Sequence, residues 1–401
     1  MRKRLMLTAL VCGLLLWGGV GEAQRAGSFP VIVVFHASAA LDGYAPGYRA
    51  DNRSQADPDS WGYLNRGVGG AVQDLERRHG FQAEHVFSHA IRGFSARLSA
   101  RQIDQLENDP NVALVEPDGT MSVIAQTLPW GIDRIDADQS SAQSGDGTGA
   151  VTNVNVYVID TGVDTSNSDL NVVRHINFAG GPNRDCHGHG THVAGTIAAR
   201  DNTIDVVGVV PGAPVTGVKV LGCGGSGSTS GVIKGIDYVT ANATKPAIAN
   251  MSLGGGVSTA LDNAVKASAA SGVFYSIAAG NSGANACNSS PARAGTTNGV
   301  MVVAAIDFNN LEASWSNYGS CVDIHAPGVN IQSTRLNGGI ATMSGTSMAS
   351  PHVGGVGALF LSTHAGVTPA NIEAALKADA VATGTTSKSG APIKRVNAAG
   401  Y

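Results

Sequence analysis

Three short stretches carry side chains that could together open an acyl bond. Val158-Ile159-Asp160-Thr161-Gly162-Val163 ends an apolar run in a carboxylate. His187-Gly188-His189-Gly190-Thr191-His192-Val193-Ala194-Gly195 offers imidazoles, and Ser344-Gly345-Thr346-Ser347-Met348-Ala349-Ser350-Pro351-His352 places a hydroxyl ahead of a small, apolar segment. A serine hydroxyl is a poor nucleophile at neutral pH and needs an adjacent base, which in turn needs a partner to fix its tautomer and stabilise its positive charge. On that chemistry Ser347 is the nucleophile, His189 the general base and then acid, and Asp160 the group that orients His189. The segment Ala349 to Leu361 suits a buried helix, with Pro351 acceptable only if it falls in the first turn. The Ser347 N–H then lies at a helix N-terminus, where it can face a developing oxyanion.

Other chemistries use these residues less well. An Asp-Thr-Gly triplet also occurs in aspartic proteases, but two carboxylates would have to share a proton and the chain has one such triplet. Around Ser347 the Gly-x-Ser-x-Gly pattern fails because Ala349 replaces the last glycine, and the order Asp, His, Ser is not that of α/β-hydrolases. Cys186, His187, His189 and His192 lie within seven residues, so zinc is a rival reading. A structural zinc site wants four ligands held outward from turns, whereas a helix from His189 to Arg200 turns His192 inward.

The elements that must position these groups follow from the hydrophobic pattern. Val154 to Ile159, Val215 to Leu221, Ala247 to Leu253, Val273 to Ala278 and Val300 to Ile306 read as buried strands, with helical patterns between them at Gly190 to Ala199 and Thr259 to Ser271. That alternation predicts an α/β fold with a doubly wound, mostly parallel sheet over 126–401, whose ligand lies beyond the carboxyl ends of the strands, where Asp160 falls. Residues 24–125 read as a separate small α+β domain. Its strands are Pro30 to Phe35, Glu84 to Phe87, Ile91 to Leu98 and Val112 to Val115. A helical pattern through Val68, Ala71, Val72 and Leu75 stops at Gly80, and a capping box at Ser99 and Gln102 opens a helix through Leu106. This β-α-β-β-α-β order is ferredoxin-like.

Composition narrows the class further. Of 401 residues 53 are glycine, 43% are hydrophobic and 14% charged, which suits many tight turns around a large core; the net charge of −4 argues against a nucleic-acid partner. Arg2-Lys3-Arg4, the apolar Leu5 to Val20 and the small-residue site Gly21-Glu22-Ala23 read as a signal peptide, 1–23, leaving no later segment able to span a bilayer. Its removal takes Cys12 and leaves Cys186, Cys223, Cys287 and Cys321, an even count suited to export and open to three pairings.

The Asp160, His189 and Ser347 motifs in this order resemble those of the subtilisin-like serine proteases, and the resemblance covers most of the chain, most strongly from Trp130 to Leu361. It implies a secreted, extracellular and monomeric serine endopeptidase that hydrolyses polypeptides through an acyl-enzyme, with residues 24–125 as a propeptide that assists folding and then inhibits until it is cut away. Asn281, closing Ala278-Ala279-Gly280-Asn281, corresponds to the oxyanion-hole amide. Gly225-Ser226-Gly227 and Ser252-Leu253-Gly254 correspond to the two segments that clamp an extended peptide by main-chain hydrogen bonds. Ala278, Ala279 and Gly280 imply a pocket open to sizeable apolar side chains. The cysteine positions resemble the proteinase K-like group, aqualysin type, which implies the pairs Cys186 with Cys223 and Cys287 with Cys321. The resemblance also implies structural calcium at Asp323 with backbone oxygens near Asn298 and Val300. Asp133 and Asp136 resemble a second calcium site, with Ala137 where another oxygen ligand would stand. A catalytically silent binding scaffold or an esterase are the alternatives; the intact catalytic set speaks against the first, and a protein-against-ester comparison separates the second.

Overall fold

The computed structural model describes residues 27–36, 39, 66–119 and 126–401. The chain separates into two compact units, Met1–Ser122 and Val123–Tyr401. The leader at 1–23 and the stretch 120–125 lie outside the described residues.

In the first unit, strands β1 (Ser28–Phe35), β2 (Ala83–Phe87), β3 (Gly93–Ser99) and β4 (Val112–Pro117) form an antiparallel sheet in the order β2-β3-β1-β4. Alternation along β1 turns Val31, Val33 and Phe35 to one face. They meet Val68, Val72 and Leu75 of α1 (Arg66–His79) and Ile103 and Leu106 of α2 (Ala100–Glu107) in a single core. The capping box is present: the Ser99 N–H donates to Gln102 Oε1 at 2.8 Å and the Gln102 N–H to Ser99 Oγ at 3.4 Å. The ferredoxin-like order expected from the pattern is the observed one.

In the second unit a short helix α3 (Trp130–Arg134) leads to a nine-stranded sheet. In chain order its elements are β5 (Asn155–Asp160), β6 (Val172–Asn177), α4 (His189–Ala198), β7 (Val215–Lys219), α5 (Thr229–Asn242), β8 (Ala247–Met251), α6 (Thr259–Ala270), β9 (Phe274–Ala278), β10 (Val300–Ile306) and β11 (Ile324–Pro327). A two-stranded ribbon, β12 (Ile331–Thr334) and β13 (Ile340–Met343), precedes α7 (Thr346–Thr363), α8 (Pro369–Ala378), β14 (Val381–Thr386) and β15 (Pro392–Arg395). The sheet order is β14-β15-β11-β10-β9-β8-β5-β7-β6, parallel throughout except for the edge hairpin β14-β15. All five strands expected from apolar runs form its centre. The edge strands β6 and β14, partly exposed and mixed in polarity, carry no continuous apolar run to announce them.

Burial on both faces explains those continuous runs. Along β5, Val156 and Val158 join one core with Val193 and Ile197 of α4 and Val353 and Val356 of α7. Tyr157 and Ile159 join the other with Ile236 of α5 and Val265 of α6. Because β5 lies between β7 and β8, helices leave its two sides in opposite directions, and the carboxyl end of β5 opens at the switch point where such sheets bind ligands.

Helix α7 is buried on all sides from Met348 to Leu361. Pro351 lies in its second turn and not in the first, contrary to the sequence expectation. Proline removes the N–H that would bond the carbonyl four residues back, that of Ser347. The helix tolerates this because Ser252 Oγ donates to the Ser347 carbonyl at 2.7 Å.

The start of α4 abuts the turn that follows β5. A Cβ on Gly190 would run into the carbonyl oxygen of Gly162 and lie 3.1 Å from Asp160 Cβ. Gly190→Ala is therefore expected to destabilise the second unit by about 1–3 kcal/mol, the range for overpacking a closed site. Thermal unfolding in a Ser347→Ala background checks this, and an unchanged midpoint would mean that the turn yields freely.

Candidate active site

Asp160 ends β5 and is 0% exposed. His189 is the first residue of α4, which brings its ring over that strand end. His189 Nδ1 and Asp160 Oδ1 are 2.7 Å apart, so the Nδ1–H donates to the carboxylate and Nε2 faces outward as the basic nitrogen. The Thr161 N–H also donates to Asp160 Oδ1, at 2.6 Å. The Asp160 charge, working against burial, raises the His189 pKa, with Asp185 adding to the effect. Ser347 is the second residue of α7, and its hydroxyl donates to the Ser252 carbonyl at 3.2 Å. His189 and Ser347 line the same cleft. Hydrogen bonds of this kind are often loose before substrate arrives, so the hydroxyl's resting partner does not remove Ser347 from reach of the base.

The amide of Asn281 is oriented by its surroundings. Its Oδ1 accepts from the Thr346 N–H and the Thr346 hydroxyl, both at 2.8 Å, and a backbone N–H can only donate, so the NH2 end is the free one. Among the described residues no partner claims the Ser347 N–H, which lies in the first turn of α7. Asn281 follows Gly280, whose φ of 104° and whose close approach to Asn317 Nδ2 exclude a side chain. Asn317 holds this loop, accepting from the Ser282 and Ala284 N–H groups at 3.0 Å and donating to the Ala279 carbonyl at 2.9 Å. Thr346 and Asn317 were not singled out in the sequence. Thr346 adjoins the nucleophile and could have been; Asn317 acts across 36 residues and carries no local signal.

The cleft has a volume of about 460 Å³ and is lined by Gly225, Ser226 and Gly227 on one side and Ser252, Leu253 and Gly254 on the other, with Thr161, His187 and Leu221. Ala278, Ala279 and Gly280 are not among its lining residues. Ala278 and Ala279 are buried, and the Gly280 N–H donates to Thr346 Oγ1 at 3.0 Å. Cys186 is bonded to Cys223 and Cys287 to Cys321, closing separations of 37 and 34 residues. In the chain-entropy view each stabilises by about 4 kcal/mol. The zinc reading fails: Cys186 is in a disulfide, and His192 Nε2 lies 3.1 Å from the Ile331 and Ala341 carbonyls, with burial pushing its pKa down to about 4.

The calcium expectation meets a different arrangement. Asp323 Oδ1 accepts from Lys377 Nζ at 2.6 Å and Oδ2 from the Val302 N–H at 2.8 Å. Lys377 also donates to Glu373 Oε1 at 2.6 Å, and Glu373 Oε2 accepts from the Gly299 N–H at 2.6 Å. Val300 begins β10, while Asn298 lines a separate groove with Lys245 and Pro369. An ammonium ion thus stands against the carboxylate that was expected to hold calcium, and both carboxylate oxygens are engaged. Asp136 is likewise paired, with Arg395 Nη2 at 3.1 Å. Among the described residues no group of three or more His, Cys, Asp or Glu side chains is placed to hold a metal ion. The residues at Asp323 do not fit calcium.

Comparison with known proteins agrees with the geometry. The model of the Subtilase family matches residues 152–400, and that of the peptidase inhibitor I9 family matches residues 30–123. The chain is 44% identical over 329 residues to the alkaline serine exoprotease A of Vibrio alginolyticus, covering 76% of this chain and 58% of that protein's length. It is 41% identical over 310 residues to an extracellular serine proteinase of Thermus sp. (strain Rt41A), covering 74% and 73%. A solved structure described as a cold adapted subtilisin-like serine proteinase matches with a TM-score of 0.59 and 41% identity, over 68% of this chain and 99% of that one. The chain belongs to the Subtilase family. It is a subtilisin-like serine protease preceded by a propeptide inhibitor domain.

Two predictions follow from this site. Asn281→Ala should lower kcat by about 100- to 1000-fold with KM nearly constant, the range known for removing one oxyanion donor from subtilisin, a relative; steady-state kinetics on a peptide anilide would reveal an unchanged kcat if the amide is only a turn residue. Asp323→Asn should lower the unfolding temperature by the same few degrees in excess calcium and in excess chelator, because its partner is Lys377. A destabilisation seen only with calcium present would restore the ion to that site.

Proposed function

We propose that the chain is a secreted endopeptidase, made as a precursor that cuts itself, acting on extended polypeptides. One observation carries the chemistry: the buried Asp160 and the half-buried His189 form a pair that opens on the same cleft as Ser347, at a helix start where an N–H and the Asn281 amide are both free to donate.

In the proposed cycle the substrate lies extended between Gly225–Gly227 and Ser252–Gly254, adding a strand to these edges. Ser347 Oγ attacks the scissile carbonyl carbon while His189 Nε2 takes its proton. The resulting oxyanion is held by the Ser347 N–H and Asn281 Nδ2, and Asp160 stabilises the imidazolium without taking the proton itself. His189 then protonates the leaving amine, the C–N bond breaks and an ester to Ser347 remains. Water, deprotonated by His189, attacks that ester; collapse of the second tetrahedral intermediate returns the proton to Ser347 and releases the acid. Apart from the Ser347 hydroxyl, which turns from the Ser252 carbonyl to His189, each step uses a group already oriented, so little further reorganisation accompanies the charge movement.

We assign residues 1–23 to an export signal, 24–125 to the propeptide and 126–401 to the mature, monomeric peptidase. Support comes from the inhibitor-family match over 30–123 and from the extracellular label carried by the Thermus relative. No helix among the described residues is long and apolar enough to cross a membrane. Self-cleavage falls between about Ile124 and Thr127, of which Ile124 and Ala125 lie outside the described residues.

Ser347→Ala should therefore abolish turnover and accumulate an uncut precursor, while residues 24–125 added in trans should inhibit the mature enzyme. Mass spectrometry of the secreted protein and an inhibition titration check both. An active enzyme beginning near Gln24, or a first domain without effect, would overturn this reading of maturation.

A further inference from the structure

We propose that Asp185 is the positioning residue of the reacting pair, its buried carboxylate joining the turn that carries Asp160 to the helix start that carries His189 and holding a second negative charge behind the imidazole. Asp185 lies in the loop before α4 and is 3% exposed. It accepts five hydrogen bonds. Oδ1 takes the N–H groups of His187 and Gly188, both at 2.9 Å, and the Thr161 hydroxyl at 3.1 Å. Oδ2 takes the Thr191 hydroxyl at 2.6 Å and the Thr191 N–H at 3.1 Å.

The directions of these bonds matter. Thr161 Oγ1 donates to Asp185 and accepts from the Gly190 N–H at 2.9 Å, while the Thr161 N–H donates to Asp160 Oδ1. Thr191 Oγ1 donates to Asp185 and accepts from the Asp164 N–H at 2.9 Å. One carboxylate therefore fixes Thr161, next to Asp160, and residues 187, 188 and 191 on both sides of His189. Three of its donors are backbone N–H groups at the N-terminal end of α4, where orphan donors and the helix dipole favour an anion. Only an acceptor-only carboxylate can receive all five donors without reversing any of them.

The charges around His189 can be counted. From β5 it meets Asp160, from the loop before it Asp185, and from its own helix His192, which is held neutral by burial. The His187 ring lies 6.2 Å away across the cleft wall, and α7 contributes only the uncharged Ser347. The facing cation from β7 is Lys219, 0% exposed, which donates to the Thr161 carbonyl at 2.7 Å and the Leu221 carbonyl at 2.8 Å and is attracted by both Asp185 and Asp160. Two carboxylates face one ammonium, so the balance favours protonated His189, the form that must develop during attack. Removing the Asp185 charge should lower the His189 pKa and misplace the pair.

This inference rests on Asp160, His189 and Ser347 being the reacting set. The test compares Asp185→Asn with the parent, each as self-processed enzyme, through kcat, KM and the pH profile of kcat/KM. We expect kcat to fall about 10- to 100-fold, as small misplacements do, KM to stay within about 3-fold of the parent, and the acid limb to move to lower pH. A merely structural role would lower the unfolding temperature without moving the limb. Thr161→Val removes the hydroxyl that bonds Asp185 and accepts from the Gly190 N–H but keeps the Asp185 charge, so it should lower kcat with the limb in place, and Thr161→Ser, which keeps both bonds, should recover it. That pair decides the matter if Asp185→Asn does not accumulate. A parental kcat in Thr161→Val, or an unmoved limb in Asp185→Asn, overturns the proposal alone, provided Ser347→Ala is inactive; turnover by Ser347→Ala would instead sink the underlying assignment.

Discussion

An ionised carboxylate stays buried only where other groups answer its charge, and the answer found for Asp160 organises much of this active site. The residue is the last of a central strand, out of contact with water, and an isolated anion there would be strongly disfavoured. The Thr161 N–H and the His189 imidazole meet it directly, and Lys219 approaches through the Thr161 carbonyl. Each comes from a different element, so the strand end, the turn beyond it, the start of α4 and the end of β7 must all be in place together. The same requirement explains the bare Gly190: the helix start has to come close enough to touch the turn after Asp160. Catalytic geometry and fold are here one constraint.

The chemistry was legible in the sequence to the extent that it was local. Asp160, His189 and Ser347 each sit in a short motif whose neighbours are set by one strand end or one helix start, and the continuous apolar runs announced the five central strands. Asp185 has the same locality as His189, yet a lone acid before a helix looks like any capping residue until its bond to Thr161 is seen. Lys219 falls inside the apolar run Val215 to Leu221, and nothing in that run announces that its ammonium is buried beside the active site. Asn317 fixes the loop of Asn281 from 36 residues away, and nothing in either segment encodes that partnership. The edge strands were missed because a half-exposed strand of mixed polarity lacks the pattern that burial on both faces imposes.

Calcium illustrates the limit of reasoning by resemblance. An aspartate at a given place in a motif says that negative charge is present; the ion that meets it is decided by what the rest of the chain supplies. Here α8 supplies Lys377, 54 residues after Asp323, and Glu373 shares the same ammonium while receiving the Gly299 N–H. The pair joins the last helix to the start of β10. Asp136 meets Arg395 of the last strand in the same manner. A cation built into the chain differs from a bound ion in one physical respect: its occupancy does not depend on concentration, so these contacts are present whenever the chain is folded.

The proline in α7 shows how a local irregularity serves the site. Placed in the second turn, Pro351 leaves the Ser347 carbonyl without a helical partner, and Ser252 donates to it at 2.7 Å. Ser252 is itself supported from below, accepting from Asn250 Nδ2 at 2.9 Å, and Asn250 Oδ1 accepts from the Ser350 hydroxyl at 2.8 Å. This polar chain runs through the buried face of α7 back to the helix that carries the nucleophile. On the other side of Ser347, the Thr346 N–H is tied to Asn281. The backbone around the nucleophile is thus held on both sides, at the Ser347 carbonyl by the clamp segment and at the Thr346 N–H, one peptide earlier, by the oxyanion amide. Its hydroxyl is attached by one rotatable bond and, among the described residues, is engaged only by a 3.2 Å contact to the Ser252 carbonyl. Rigidity is placed where the oxyanion must be met, in the peptide unit, and freedom is left where the proton must move, in the side chain.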